Sequence, residues 1–144
     1  MGGTLAGTDS WFANPASQVS AHTGVGLQGE RHRYVRYADR AWANGVLEPG
    51  NLWAALKGTA NPNNYTLSIE TEDAGDATMP VDDLEYAATL AEAQAMLAAY
   101  PSVRYLLKHA DISPHSRAHC PGDRWIWSGR FQDLADALGL AVLG

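Results

Sequence analysis

The chain has 144 residues, enough for one domain with a buried core. Hydrophobic residues make up 46% and charged residues 18%, the composition of a globular rather than a disordered protein. With 16 Asp and Glu against 10 Lys and Arg, it lacks the basic stripe of a nucleic-acid groove, and any recognition of an anionic polymer must be local. A single cysteine makes no internal disulfide, so Cys120 is a free thiol or a ligand. No apolar run approaches the roughly 18 residues of a membrane span. The opening MGGTLAGTDSWF has neither the basic start nor the apolar stretch of a signal peptide, so a cytoplasmic location or export by another route is expected.

In chain order, GTDSWFANP predicts a short helix capped by Thr8 or Asp9 and stopped by Pro15. Residues 19–27 and 30–37 predict two strands around a two-residue turn at Gln28-Gly29. Residues 38–64 are rich in Gly, Asn and Pro and read as loop, with a helical turn near Asn51–Leu56. YTLSIETE (65–72) alternates and predicts a strand. Residues 81–100 form the clearest helix, with Asp82 and Asp83 in its first turn. Its expected apolar stripe is Tyr86, Leu90, Ala93, Leu97 and Tyr100. VRYLLKH (103–109) predicts a short buried strand. Residues 128–140 predict a second amphipathic helix, capped by Ser128 and stopped by Gly139. The pattern gives an α/β or α+β domain with a mixed sheet, and an α/β domain with a mixed central sheet flanked by helices is expected.

The chemistry concentrates in HADISPHSRAHCPGDRW (109–125), which holds three of five histidines and the only cysteine. His109 ends a predicted strand, and the ten residues before Cys120 allow the loop to fold back on it. Imidazole and thiolate together suit zinc. The plain alternative is a surface loop with a buried thiol. Glu70 is the odd residue of its strand, either a general base or a solvated strand end beside Glu72. His22 is either a hydrogen-bonded strand histidine or a site residue. Trp42, on a loop, either lines a cleft or covers the core.

Several motifs then line up in order: WFANPASQVSAHTGV, HRYVRYADRAWANG, NNYTLSIETE, the long helix, and HADISP followed by HCPG. Together they resemble the zinc-dependent N-acetylmuramoyl-L-alanine amidases, which include phage amidase endolysins, wall-recycling amidases and peptidoglycan recognition proteins. The resemblance covers nearly all of the chain, and residues 1–144 are expected to be a single amidase-like catalytic domain. It implies that His109 and Cys120 ligate Zn2+ and that Glu70 is the base acting on a zinc-activated water. The substrate implied is peptidoglycan or muropeptide, cut between N-acetylmuramic acid and L-alanine. Trp42 and His22 are the candidate substrate contacts. No nucleic-acid or membrane partner is expected, and a monomer is the default.

The sequence departs from the family in three places. Ala43 replaces a histidine in AWANG. Ala118 replaces a lysine that stabilises the oxyanion, leaving Arg117 and His119 on either side as candidates for that role. The family's first zinc histidine ends a first strand that should lie just ahead of Met1, so the domain is expected to be incomplete at its N-terminus. Substitution by His22, His115 or His119 is the alternative. The rival function is a muropeptide-binding module with a degenerate zinc site, against which the joint retention of Glu70, His109 and Cys120 argues. Without a signal peptide, the expected settings are the cytoplasm or release to the wall as a phage lysin.

Overall fold

The computed structural model describes residues 3–73 and 75–143. The first strand expected ahead of Met1 lies outside them. Helix α1 spans Leu5–Ala13. Its cap is Thr4, whose hydroxyl accepts the Gly7 N–H at 3.1 Å. The expected caps Thr8 and Asp9 lie inside the helix. Pro15 lacks the N–H that α1 would need to continue, and Pro15–Ser17 form a single 3-10 turn.

Strands β1 (Thr23–Val25) and β2 (Arg31–Arg33) form an antiparallel hairpin in the register Thr23↔Arg33. Its connection is longer than the expected two-residue turn. The Gly26 N–H donates to the Glu30 carbonyl at 2.9 Å and the Gly29 N–H to the Gly26 carbonyl at 3.0 Å. Leu27, Gln28 and Gly29 therefore form the loop. Gly29, at φ +84°, takes the left-handed position that closes such three-residue connections.

After the short helix α2 (Ala54–Lys57) comes β3, only Ile69–Thr71, parallel to β1 with Gly24 opposite Glu70. The strand expected over 65–72 is shortened because Thr66 belongs to the preceding loop. Its hydroxyl donates to the Pro62 carbonyl at 3.0 Å and accepts from Asn44 at 2.7 Å. The mixed sheet runs β2-β1-β3.

Helix α3 (Asp83–Ala99) is capped by Asp82, whose carboxylate accepts the Leu84 N–H at 2.8 Å. It packs on β1 and β3 and against the later helix α5 (Arg130–Leu138). Two faces of α3 are therefore covered, which displaces the expected stripe. Tyr86 and Leu90 meet the core of Val81, Trp125 and Leu134, while Tyr100 is exposed. The deeper face carries Glu85, Thr89, Glu92, Ala93 and Met96. Glu92 is buried there because it has partners: Thr23 Oγ1 donates to it at 2.7 Å, the Tyr37 hydroxyl donates to it, and Arg33 pairs with it at 3.3 Å.

Strand β4 (Tyr105–Leu106) pairs in parallel with β5 (Ala141–Val142) in a separate two-stranded sheet. Between them lie α4 (Asp123–Trp127) and α5 (Arg130–Leu138). Ser128 closes α4 rather than opening α5, donating its hydroxyl to the Arg124 carbonyl at 2.6 Å. Gly139, at φ 65°, ends α5 as expected. No helix among the described residues is long and apolar enough to cross a membrane.

Candidate metal centre and active site

His109 opens a 3-10 turn, His109–Asp111, just past β4. The turn is held from below. The Asp111 carboxylate, buried, accepts the Lys108 N–H at 2.8 Å, and its carbonyl accepts the Leu52 N–H at 2.7 Å. Glu48 accepts the His115 N–H at 2.7 Å and the Ser116 N–H at 3.0 Å. The 48–53 segment thus anchors the loop that carries both candidate ligands.

The Asn44 backbone acts on the His109 ring and opposes the lowering of its pKa by burial. The ring Nε2 is buried without a hydrogen-bond partner. A neutral ring protonated at Nδ1 would carry its lone pair on Nε2, as a metal ligand needs. Burial lowers the His109 pKa and favours that neutral form. Burial pushes the Cys120 thiol up, and the His109 backbone opposes that rise. An unpartnered imidazole nitrogen and a thiol are a donor set that suits zinc.

Glu70, half-buried on β3, acts electrostatically on both ligands, raising the pKa of His109 and of Cys120. Arg117 acts on both in the opposite sense. Glu70, His109, Cys120 and Arg117 thus share one electrostatic neighbourhood.

His119 does not join them. Its side chain is 84% exposed and pairs with Asp123 at 3.1 Å. His115 is exposed on the loop. Among the described residues no group of three or more His, Cys, Asp or Glu could hold a metal ion, so none of these histidines completes the pair.

His22 is corrected by its surroundings. It is 1% exposed. Its Nδ1 accepts the Ser68 N–H at 3.1 Å, which leaves the proton on Nε2 to donate to the Asp39 carbonyl at 3.0 Å. Both ring nitrogens are used, so His22 ties β1 to the chain before β3 rather than touching substrate.

Trp42 is 46% exposed, with the Arg40 guanidinium 3.9 Å over its ring. It walls a surface groove of about 430 Å³ together with Phe12, Asn14 and Gln18. Two residues on, the Asn44 backbone acts on the His109 ring; the groove's lining includes none of Glu70, His109, Arg117 and Cys120. Asn44 is the residue the sequence reading missed. It acts through its backbone, which every residue type has, so no side-chain pattern could have marked it.

Comparison with known proteins bears on the family and the fold. The family model described as N-acetylmuramoyl-L-alanine amidase matches residues 1–123. A 1,6-anhydro-N-acetylmuramyl-L-alanine amidase of Citrobacter freundii, AmpD, is 30% identical over 126 residues, which are 86% of this chain and 62% of that protein. The chain therefore spans less than two thirds of this relative. The crystal structure of a selenomethionine AmpD derivative superposes with a TM-score of 0.69 at 28% identity, covering 88% of this chain and 73% of that one. The E. coli amidase AmiD, solved with anhydro-N-acetylmuramic acid-L-Ala-D-γ-Glu-L-Lys, shares the fold at a TM-score of 0.72 and 22% identity, over 96% of this chain and 54% of that one. The chain belongs to the N-acetylmuramoyl-L-alanine amidase family.

Proposed function

We propose that this protein hydrolyses the amide between the lactyl group of N-acetylmuramic acid and the L-alanine of the stem peptide, with Zn2+ as cofactor. The observation that carries the reading is that Glu70 and Arg117 both act electrostatically on His109 and on Cys120. Relatives named as muramyl-L-alanine amidases, and a shared fold solved with a muropeptide, support it.

His109 through Nε2 and Cys120 through its sulfur would hold the zinc, which when bound polarises a carbonyl and acidifies water. Glu70 takes the proton of the attacking water and delivers it to the leaving alanine amine. Arg117 donates to the oxygen that gains charge as the carbonyl becomes tetrahedral. His119, held outward by Asp123, is left out of that role. The groove beside Trp42 receives the substrate flanking the cut bond. Catalytic zinc takes three protein donors, of which His109 and Cys120 would be two. The relatives' names favour a 1,6-anhydro muropeptide over the intact wall as substrate.

The test is to incubate the chain, and a version extended upstream, with zinc and purified muropeptide and count new L-alanine amino termini. Release that stops with a chelator and returns with zinc is expected. Binding without release by both forms would replace the hydrolase with a muropeptide-binding module.

A further inference from the structure

One buried cation on α4 has no part in the chemistry above, yet it joins the two sides of the site. Arg124 is 4% exposed and sits four residues after Cys120. One of its terminal nitrogens donates to the Glu72 carbonyl at 2.9 Å and to the Glu85 carboxylate. The other donates to the Pro80 carbonyl at 3.2 Å. Glu72 lies two residues after Glu70, and its own N–H donates to the Val25 carbonyl at 2.8 Å. Its carboxylate accepts the Leu27 N–H at 3.1 Å. Glu72 is thereby fixed to the β1 side of the sheet. Glu85, on α3, is 0% exposed, and its second carboxylate oxygen has no hydrogen-bond partner.

A buried ion pair is a poor source of stability, because both charges must leave water. An incompletely satisfied one is poorer still. What the guanidinium does supply is direction. Its planar fork fixes several acceptors at set angles, which neither an ammonium nor an apolar side chain does. Here the acceptors come from the end of β3, from the chain entering α3, and from α3 itself.

We propose that Arg124, seated on Glu85, is a positioning residue that sets the separation between Glu70 and the His109–Cys120 pair. On one side it grips the strand end two residues beyond Glu70. On the other it fixes the orientation of α4, whose first residue follows Cys120 by only Pro121 and Gly122. The proposal rests on the amidase reading for its kinetic consequence and on geometry alone for its structural one.

The test uses the doubly substituted Glu85→Leu/Arg124→Met, which removes both buried charges and leaves neither unpaired. Arg124→Lys, which keeps the charge and loses the fork, serves if the double variant does not fold. Cys120 is the only thiol, so its labelling rate in zinc-free protein reports how tightly that loop is held. A folded variant, with a urea midpoint near the parent's, is expected to label about tenfold faster. Its kcat should fall by as much as about a hundredfold, the cost of a misplacement near 1 Å, with KM little changed. Met96→Ala, at the far end of α3, should lose urea resistance without moving either readout. An unchanged labelling rate or an unchanged kcat in the folded variant overturns the proposal. If the parent itself cleaves no muropeptide, the amidase reading fails, and the labelling rate alone decides the positioning.

Discussion

Three side chains show how far a residue's surroundings decide its role. Arg117 and His119 flank the position of the family's lysine, and sequence alone left them equivalent. Arg117 acts on both candidate ligands, whereas His119 points outward to Asp123. Arg117→Ala should therefore lower kcat by about 100- to 1000-fold, the usual cost of an oxyanion donor. His119→Ala breaks only an exposed ion pair and should leave kcat within about twofold and stability within about 0.5 kcal/mol. Steady-state kinetics on the two variants separates these outcomes. His22 shows the same dependence in its titration. Burial lowers its pKa below the ordinary 6.5, so the unfolded chain takes up its proton first as pH falls. The stability His22 contributes is thus fully present above pH 6.5 and is lost as pH falls through its folded value. Urea midpoints should drop as pH falls below the ordinary 6.5, and His22→Gln should flatten that slope. A slope unchanged in the variant would assign the effect to other groups.

At the scale of elements, the long helix, the last helix and the hairpin were legible because their periodicity and stop signals are local. Pro15, Pro101 and Gly139 each stand just past the end of a helix. Other features were set by contacts no local pattern carries. Helix α4 has only five residues, too few to show a period, and is held by Arg124. Strand β5 has two residues and exists because β4 pairs with it. The buried face of α3 includes two glutamates, which a hydrophobic stripe cannot announce. Their burial became intelligible only with Arg33, Tyr37 and Arg124 beside them. Close packing between elements also explains Gly24. A Cβ there would meet the Tyr34 hydroxyl oxygen at 2.6 Å and Leu5 Cδ1 at 2.8 Å. Gly24→Ala should cost about 1–3 kcal/mol, as overpacked cores do, read as a lower urea midpoint at an unchanged m-value. A midpoint equal to the parent's would mean that α1 moves aside freely.

For the whole molecule, the site is a meeting of distant parts of the chain. Glu70 comes from the sheet, the Asn44 backbone from the long loop, and His109 and Cys120 from a second loop anchored on Glu48 and Leu52. Glu70, His109 and Cys120 could be named as candidates in advance because motif order carries them. The action of the Asn44 backbone on His109 could not, since it comes from a group 65 positions away in the numbering. The net charge of −6 offers no general attraction to an anionic substrate, so recognition must be local.

The most direct test of this account is hydrolysis of a defined muropeptide in heavy-oxygen water with zinc present, followed by mass spectrometry of both products. Hydrolysis by Glu70-activated water should place one heavy oxygen in the lactyl carboxylate of the muramyl product and leave a stem peptide with a free L-alanine amine, and Glu70→Gln should lose both products with zinc still bound. Label in any other product, or cleavage by Glu70→Gln at the parent's rate, would contradict it.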